Sequence, residues 1–204
     1  MTALEMKYKF DIKLRDILKA LNHPFTTHEV SRLMNKSQLA LVREYAKYFE
    51  QNEEFRKVLS PLVTPYTVTL FVTDAENHTN GAYVRMPEDL IKVVAELVNG
   101  SIAVKPVSLD EYSSNITNPF KKPSSTLVWR LDRNDKHELI TDGTVTLTSY
   151  SMDYIDYPPD IDVDNSIDCV LAGAVHDDIV EGAIKSALII LSRKAQMFNT
   201  KSDK

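Results

Sequence analysis

Early in the chain the apolar positions recur at three- and four-residue steps, and through the middle they crowd into short β-branched runs. The two rhythms predict helices first and strands after them. Phe10, Leu14, Ile17, Leu18 and Leu21 give a short amphipathic helix over residues 9–21. Asn22-His23-Pro24 ends it, because proline restricts the residue before it and lacks the amide that the ladder needs. The next helix opens at Thr26: its side chain can cap the first turn while Glu29, three residues on, reaches back to the Thr26 amide. Phe25 and Val30 stand at the two positions of a hydrophobic staple across that capping box. Val30, Leu33, Met34, Leu41, Tyr45, Tyr48 and Phe49 continue as the apolar stripe, and a further helical piece over residues 53–59 stops at Ser60-Pro61.

After Pro61 the pattern changes. Residues 66–72, β-branched and aromatic, predict a strand, and the turn cluster at 77–81 lets Ala82 to Arg85 pair back. Pro87-Glu88-Asp89 has the composition of a helix start, so a helix is expected that carries Leu90, Ile91, Val94 and Leu97 and stops at Asn99-Gly100. A strand over 102–109 and a loop over 110–125, broken by Pro119 and Pro123, follow. Strands are expected over 126–131, 137–141 and 144–157, with Asp142-Gly143 as a hairpin turn and Pro158-Pro159 as the end. A closing helix over 177–197 has Ile179, Val180, Ala183, Ile184, Ala187, Leu188 and Leu191 on one face, and 199–204 reads as a polar tail. The order predicts a single α+β domain, a helical core with a β-rich insertion. Residues 1–60 form its N-terminal helices, 61–174 the insertion with one helix, and 175–204 the C-terminal helix and tail.

Composition narrows the classes. With 204 residues, 43% hydrophobic and 26% charged, the chain is long and apolar enough for a sizeable core. The formal net charge of −5 argues against a phosphate-gripping protein and suits a wall past which DNA slides without sticking. One cysteine, Cys169, excludes an internal disulfide and a cysteine-based zinc cluster within one chain. The first residues run straight into an amphipathic pattern, and no run approaches the roughly 18 consecutive apolar residues of a membrane span. Cytosolic synthesis without a membrane partner is the expectation.

The candidate chemistry is thin. Asp160, Asp162 and Asp164 alternate as in a calcium loop, but Asn165 stands where such a loop needs glycine and Leu171 where it needs glutamate. An edge segment with an acidic outer face explains them better, and a divalent ion at a subunit contact is the alternative. Asp177 and Asp178 after His176 fit the positive end of a helix, and Cys169 reads as a buried inert thiol. Trp129-Arg130 reads as core plus rim, and Lys121-Lys122 as a solvated loop able to touch phosphate or an acidic partner. No glycine-rich phosphate loop or nucleophile elbow is present, so no enzyme, no catalytic residue and no cofactor are expected.

Seven blocks, in order, carry a family resemblance: residues 25–42, Pro87-Glu88-Asp89-Leu90, Val104-Lys105-Pro106-Val107, Asn118-Pro119-Phe120 to Pro123, Trp129-Arg130, residues 154–161, and Cys169 with His176 to Glu181 and Ala183. Together they resemble the neck ring proteins of crAss-like and related Bacteroidetes tailed phages. Met152-Asp153 departs from that pattern where the family often has arginine, and Leu171-Ala172-Gly173 where it often has leucine-proline. The resemblance implies a virion structural protein: a head–tail connector or adaptor in the phage neck, a homo-oligomeric ring of 12 copies. Its partners would be the portal protein and other neck or tail ring proteins, with genomic DNA passing through the lumen without sequence-specific binding. Arg32, Lys36 and Arg43 on the capped helix, with Phe120, Lys121 and Lys122 in the proline-flanked loop, are the candidate interface residues. Residues 1–9 and 199–204 are candidate arms that order on assembly. The alternative is a small non-enzymatic phage protein that regulates a host partner through its β face.

Overall fold

The computed structural model describes residues 1–19, 25–73, 78–134 and 136–202, with backbone alone at 194, 195 and 197–202. Leu21, the stop signal Asn22-His23-Pro24, Asn77 and the last two residues of the expected tail lie outside the described residues. The chain forms two compact units: Met1–Leu62 with Tyr157–Lys204, and Val63–Asp156. The first is helical and the second is built on a sheet, so the fold is α+β with the β segment interrupting a helical frame.

In the helical unit, α1 (Ala3–Leu18) begins earlier than its apolar pattern suggested, because Thr2 and Glu5 form a second capping box. Ala3, Met6, Phe10 and Leu14 are its buried face. Burying side chains the size of Met6, Phe10 and Leu14 is worth about 1.5–3 kcal/mol each. Residues 3–9 therefore belong to a packed helix and are not a free arm. The helix α2 (Thr27–Lys47) opens as expected: Glu29 N donates to Thr26 Oγ1 at 3.3 Å, and Thr26 N donates to Glu29 Oε2 at 2.8 Å. The staple residues Phe25 and Val30 are both buried. Tyr45 stacks on Phe55 of α3 (Glu53–Leu59) with ring centroids 4.1 Å apart, and one turn of 3₁₀ helix over Ser60–Leu62 leads out of the unit.

The long helix α5 (His176–Ser202) packs against both α1 and α2, and it takes in most of the expected tail. Its first-turn Asp177 and the Glu181 one turn on pair with Lys9 (2.5 Å) and Lys13 (2.9 Å) of α1. Gly182 is where α2 comes closest, since a Cβ there would overlap Ser37 Oγ and lie 3.2 Å from Ser37 Cβ. The segment before α5 is tied to α2 by side chains. Asn35 donates to the Ile161 carbonyl (3.1 Å) and accepts from its amide (2.7 Å), and Gln38 donates to the Pro159 carbonyl at 3.1 Å.

The second unit is a mixed seven-stranded sheet: β1 (Val63–Val68), β2 (Gly81–Arg85), β3 (Leu90–Val98), β4 (Ile102–Pro106), β5 (Leu127–Arg133), β6 (Lys136–Ile140) and β7 (Tyr150–Asp156), in spatial order β1-β7-β3-β4-β5-β6-β2. Only β4 and β5 run parallel, and a parallel pair needs a crossover connection; α4 (Leu109–Asn115) lies within it. Tyr66 and Val68 of β1 pack on the same core cluster as Val84 of β2, although the two strands stand at opposite ends of the order, so the sheet curls. Inside the curl lie Val84, Val98, Val128, Leu139, Tyr150, Met152 and Tyr154. Outside it Val107, Trp129, Leu131 and Ile140 are covered by Tyr112 and Ile116 from α4 and its end.

Several sequence expectations are corrected here. The helix expected after Pro87 is strand β3: Ile91, Val93, Val94 and Val98 are β-branched, and β7 offers the run a full antiparallel partner. Asn99-Gly100 is accordingly no helix stop but the turn into β4, with both residues in the left-handed region (φ 52° and 71°), which these two residue types tolerate. The insertion's helix is instead α4, in the stretch read as loop, where Ser108 Oγ accepts from Glu111 N at 3.1 Å. The long strand over 144–157 shortens to β7, and Asp142-Gly143 does not join paired strands, since β6 pairs with β5 and β2. Asp142 instead holds its own turn by accepting from the Thr144 and Val145 amides, while Asn99 binds the chain at 146–149. Ala82 to Arg85 pairs along its length with β6, and the preceding strand region meets it at the isolated Val72–Tyr83 bridge.

Candidate subunit interface

Arg32 and Lys36 sit one helical turn apart on the exposed face of α2, and both border a groove of about 370 Å³ whose other walls are Phe25, Glu29, Leu33 and Ile190. Neither cation has an ion-pair partner among the described residues, whereas the Glu29 carboxylate is engaged by Thr26. Arg43, two turns on, is occupied: it donates to Tyr157 Oη at 2.6 Å and lies over the Tyr157 ring, 5.7 Å from its centroid. The fold thus brings Arg32 and Lys36 together and leaves Arg43 apart.

Phe120, Lys121 and Lys122 form a tip in the sheet unit. Phe120 is 95% exposed, yet its backbone is fixed. Asn118 Oδ1 accepts from Phe120 N at 3.0 Å, and the Asn118 carbonyl accepts from Lys121 N (3.1 Å) and Lys122 N (3.0 Å). An aromatic ring displayed at this exposure on a braced loop, between a proline and two cations, has the form of a binding anchor.

Sequence reasoning missed a second exposed apolar feature. On α1, opposite the buried Ala3, Met6, Phe10 and Leu14, the side chains of Leu4, Tyr8 and Ile12 are 55%, 63% and 48% exposed. The signal was the four-residue step from Leu4 through Tyr8 to Ile12, which places them on one face.

Inside the curl of the sheet a closed polar network was equally invisible in the sequence. Arg130 Nη1 donates to Glu96 Oε1 (2.7 Å), Tyr150 Oη donates to Glu96 Oε2 (2.8 Å) and meets His137 Nδ1 at 3.1 Å. His137 Nε2 lies 3.1 Å from Asp132 Oδ1, which in turn is 2.9 Å from Arg130 Nε. Arg130 is 7% exposed, so it is no rim residue; Trp129, at 1%, is core as expected. Burial lowers the His137 pKa from its ordinary value in spite of Asp132 beside it, and the hydrogen bond from His137 holds Asp132 below the usual carboxylate range. Burial, reinforced by Glu96, drives the Tyr150 phenol far up. Burial opposes the charge of Arg130, but Glu96 and Asp132 prevail and hold its pKa raised. A cavity of about 490 Å³ opens beside Asp132 and His137. Both ring nitrogens of His137 face partners of the network, Nε2 Asp132 and Nδ1 the Tyr150 hydroxyl, which suits a structural tie better than proton transfer to a ligand.

The acidic segment is not an edge strand but a turn. Asp162 accepts from Asp164 N (2.9 Å), Asn165 N (3.2 Å) and Asn165 Nδ2 (2.7 Å), bonds that hold its carboxyl below the usual range, and Ile161 beside it is fully buried. Among the described residues no three His, Cys, Asp or Glu side chains gather where they could hold a metal ion, and no helix is long and apolar enough to cross a membrane. His176 Nε2 meets the Leu171 carbonyl at 2.9 Å, and its Nδ1 meets the Met1 amine at 2.9 Å. A carbonyl only accepts, so Nε2 carries the proton and Nδ1 receives the amine. Burial raises the Cys169 thiol, away from reactivity.

Comparison with known proteins agrees with the block pattern. The chain is 28% identical to Ring protein 3 of Bacteroides phage crAss001 over 222 aligned positions, covering 93% of this chain and 96% of that protein. It is 24% identical to Ring protein 4/5 of the same phage over 220 positions, 92% of each. The model of the phage tail ring protein 3/4 family matches residues 1–201, nearly the whole chain, and the protein belongs to that family.

Proposed function

We propose that this phage ring protein is the repeating subunit of a homo-oligomeric ring in the virion neck, joining portal to tail and surrounding the channel through which the genome passes. The match to the ring family over residues 1–201 carries this reading. Twelve copies, a portal partner and neighbouring neck or tail rings belong to the same proposal. The net charge of −5 favours a lumen that DNA traverses without adhering. The role is structural and not catalytic, in keeping with the relatives' names and with a His137 whose two nitrogens are spoken for. Residues 1–204 act as one subunit, the capped α2 presenting Arg32, Lys36 and Arg43 to neighbouring copies. The tip of Phe120, Lys121 and Lys122 faces a different partner, the portal or the next ring.

Mass photometry and negative-stain imaging of the purified chain test this reading: a closed ring with a central hole supports it, and a chain that stays monomeric or dimeric both alone and with portal overturns it. Phe120→Ser with Lys121→Glu and Lys122→Glu tests the tip. Self-assembly is expected to persist while co-sedimentation with portal or an adjacent ring protein is lost; unchanged co-sedimentation with both refutes the assignment.

A further inference from the structure

We infer that the outer face of α1 on one copy of this chain seats in the groove between α2 and α5 of the next. The inference rests on the ring reading proposed above and adds to it the two surfaces that would close the ring.

A helix at the surface of a globular unit is apolar on the side that packs and polar on the other. Here α1 is apolar on both. Met6, Phe10 and Leu14 are fully buried, while Leu4, Tyr8 and Ile12 stand out on the opposite face. Leu4, Tyr8 and Ile12, each about half exposed or more, form one apolar stripe over two turns of the helix, and a contiguous exposed apolar patch marks an interaction site.

The groove is the complementary shape. Phe25, Leu33 and Ile190 give it an apolar lining, and Arg32 and Lys36 give it a cationic rim without ion-pair partners among the described residues. The α1 face has an acidic border, Glu5 at one end and Asp16 at the other. Asp16 is exposed and has no ion-pair partner among the described residues, while Glu5 is turned to the Thr2 amide, and the exposed cations Arg15 and Lys19, the latter at the C-cap, lie at the same end of the helix. Asp16 is thus the carboxylate on the ridge that is free to meet the basic rim of the groove, Arg32 and Lys36.

The second copy is the occupant this pair of surfaces fits. A closed ring joins one patch of each subunit to a different patch of its neighbour, whereas a two-fold dimer joins a patch to itself. Ridge and groove are different patches, both carried by the three helices of one compact unit, so every copy offers one of each.

Two full-length variants separate the halves of the contact: Tyr8→Glu on the ridge, and Arg32→Glu with Lys36→Glu on the groove rim. All three positions are exposed, and circular dichroism melting checks that the fold is retained; Tyr8→Ser is the milder ridge variant if Tyr8→Glu melts early. Each variant alone is expected to raise the concentration at half-assembly by at least about 30-fold, the effect of losing an interface hot spot. Mixed in equal amounts, the two variants retain one working ridge and one working groove between them. They are expected to form a one-to-one dimer and nothing larger by mass photometry. Wild-type-like rings from either variant, or a mixture that stays monomeric, overturn the ridge-and-groove contact while leaving the ring reading in place. A wild-type chain that forms no ring either alone or with portal overturns both.

Discussion

Arg130→Met is the sharpest test of what holds the sheet unit together. The Arg130 and Glu96 side chains are each 8% exposed and joined at 2.7 Å, so the substitution leaves the Glu96 carboxylate inside the curl with the Tyr150 hydroxyl as its remaining donor. Breaking a buried pair from one side costs about 3–5 kcal/mol, because the charge left behind has lost water and gained nothing. The abandoned carboxylate has one escape, which is to take up a proton. Protonating an ordinary glutamate costs about 3.7 kcal/mol at pH 7 and about 1 kcal/mol at pH 5, and this caps the penalty. The expected deficit is therefore about 3–4 kcal/mol at pH 7, shrinking to about 1 kcal/mol at pH 5. The sign follows from linkage: the folded variant binds a proton that the unfolded chain releases, so its stability falls as pH rises. Trp129, the sole tryptophan and 1% exposed in this unit, reports the transition by fluorescence during urea unfolding. Arg130→Met with Glu96→Leu removes both charges, and Tyr150 keeps His137 Nδ1 as a hydrogen-bond partner. That double variant is expected to recover at least about 2 kcal/mol of the single variant's loss. A single-variant deficit under about 1 kcal/mol at pH 7, an equal deficit at both pH values, or no recovery in the double variant refutes the reasoning.

Three further perturbations follow from the packing. Thr26→Ala removes the α2 cap and is expected to cost about 1 kcal/mol and speed amide exchange in the first turn, whereas Thr26→Asp keeps both near wild type. Gly182→Ala gains up to about 1 kcal/mol of helix propensity but drives a methyl into Ser37, an overpacking cost of about 1–3 kcal/mol; thermal melting should show a net loss that Ser37→Ala reverses, and a stabilised single variant would disprove the close approach. Because the His137 pKa is lowered in the fold, the unfolded chain takes the proton more readily, and the sheet unit loses stability as pH drops below about 6.5 toward the folded value. His137→Gln is expected to flatten that slope in urea unfolding followed at Trp129, and an unchanged slope would place the titration elsewhere.

What was legible in the sequence was what local chemistry decides. The Thr26–Glu29 cap and the closing helix need only neighbours three or four residues away, and both stand in the fold; the expected α2 stripe holds at Val30, Leu33 and Met34, but the buried face then runs through Gln38, Val42 and Ala46, leaving Leu41 half-buried and Tyr48 exposed. Strand β3 was misread because Leu90, Ile91, Val94 and Leu97 satisfy a helical step while the deciding partner, β7, lies more than fifty residues downstream. The Ser108–Glu111 cap of α4 was present in the sequence but was overruled by the two prolines that follow. The interface candidates divide in the same way. Arg32 and Lys36 share a helix face by spacing alone, but the groove beside them takes its far wall from Ile190, which only the packing of α5 on α2 supplies. The network of Glu96, Arg130, Asp132, His137 and Tyr150 draws on four strands, and no spacing rule joins them.

The helical unit is discontinuous, and this orders events during synthesis. When the ribosome has made α1 and α2, their inner residues Phe10, Leu14, Val30 and Met34 still await Ile179, Val180 and Ala183 of α5, which emerge after the whole sheet unit. At about 5–20 residues per second, that wait lasts roughly 7–30 seconds, long enough for the intervening sheet to close on its own. A chain truncated before α5 would carry a folded sheet tethered to α1, α2 and α3 with the faces that α5 covers left bare, exposed to proteases and holdases. Synthesis of α5 thus works as a checkpoint: no copy acquires its helical unit before that helix has been made.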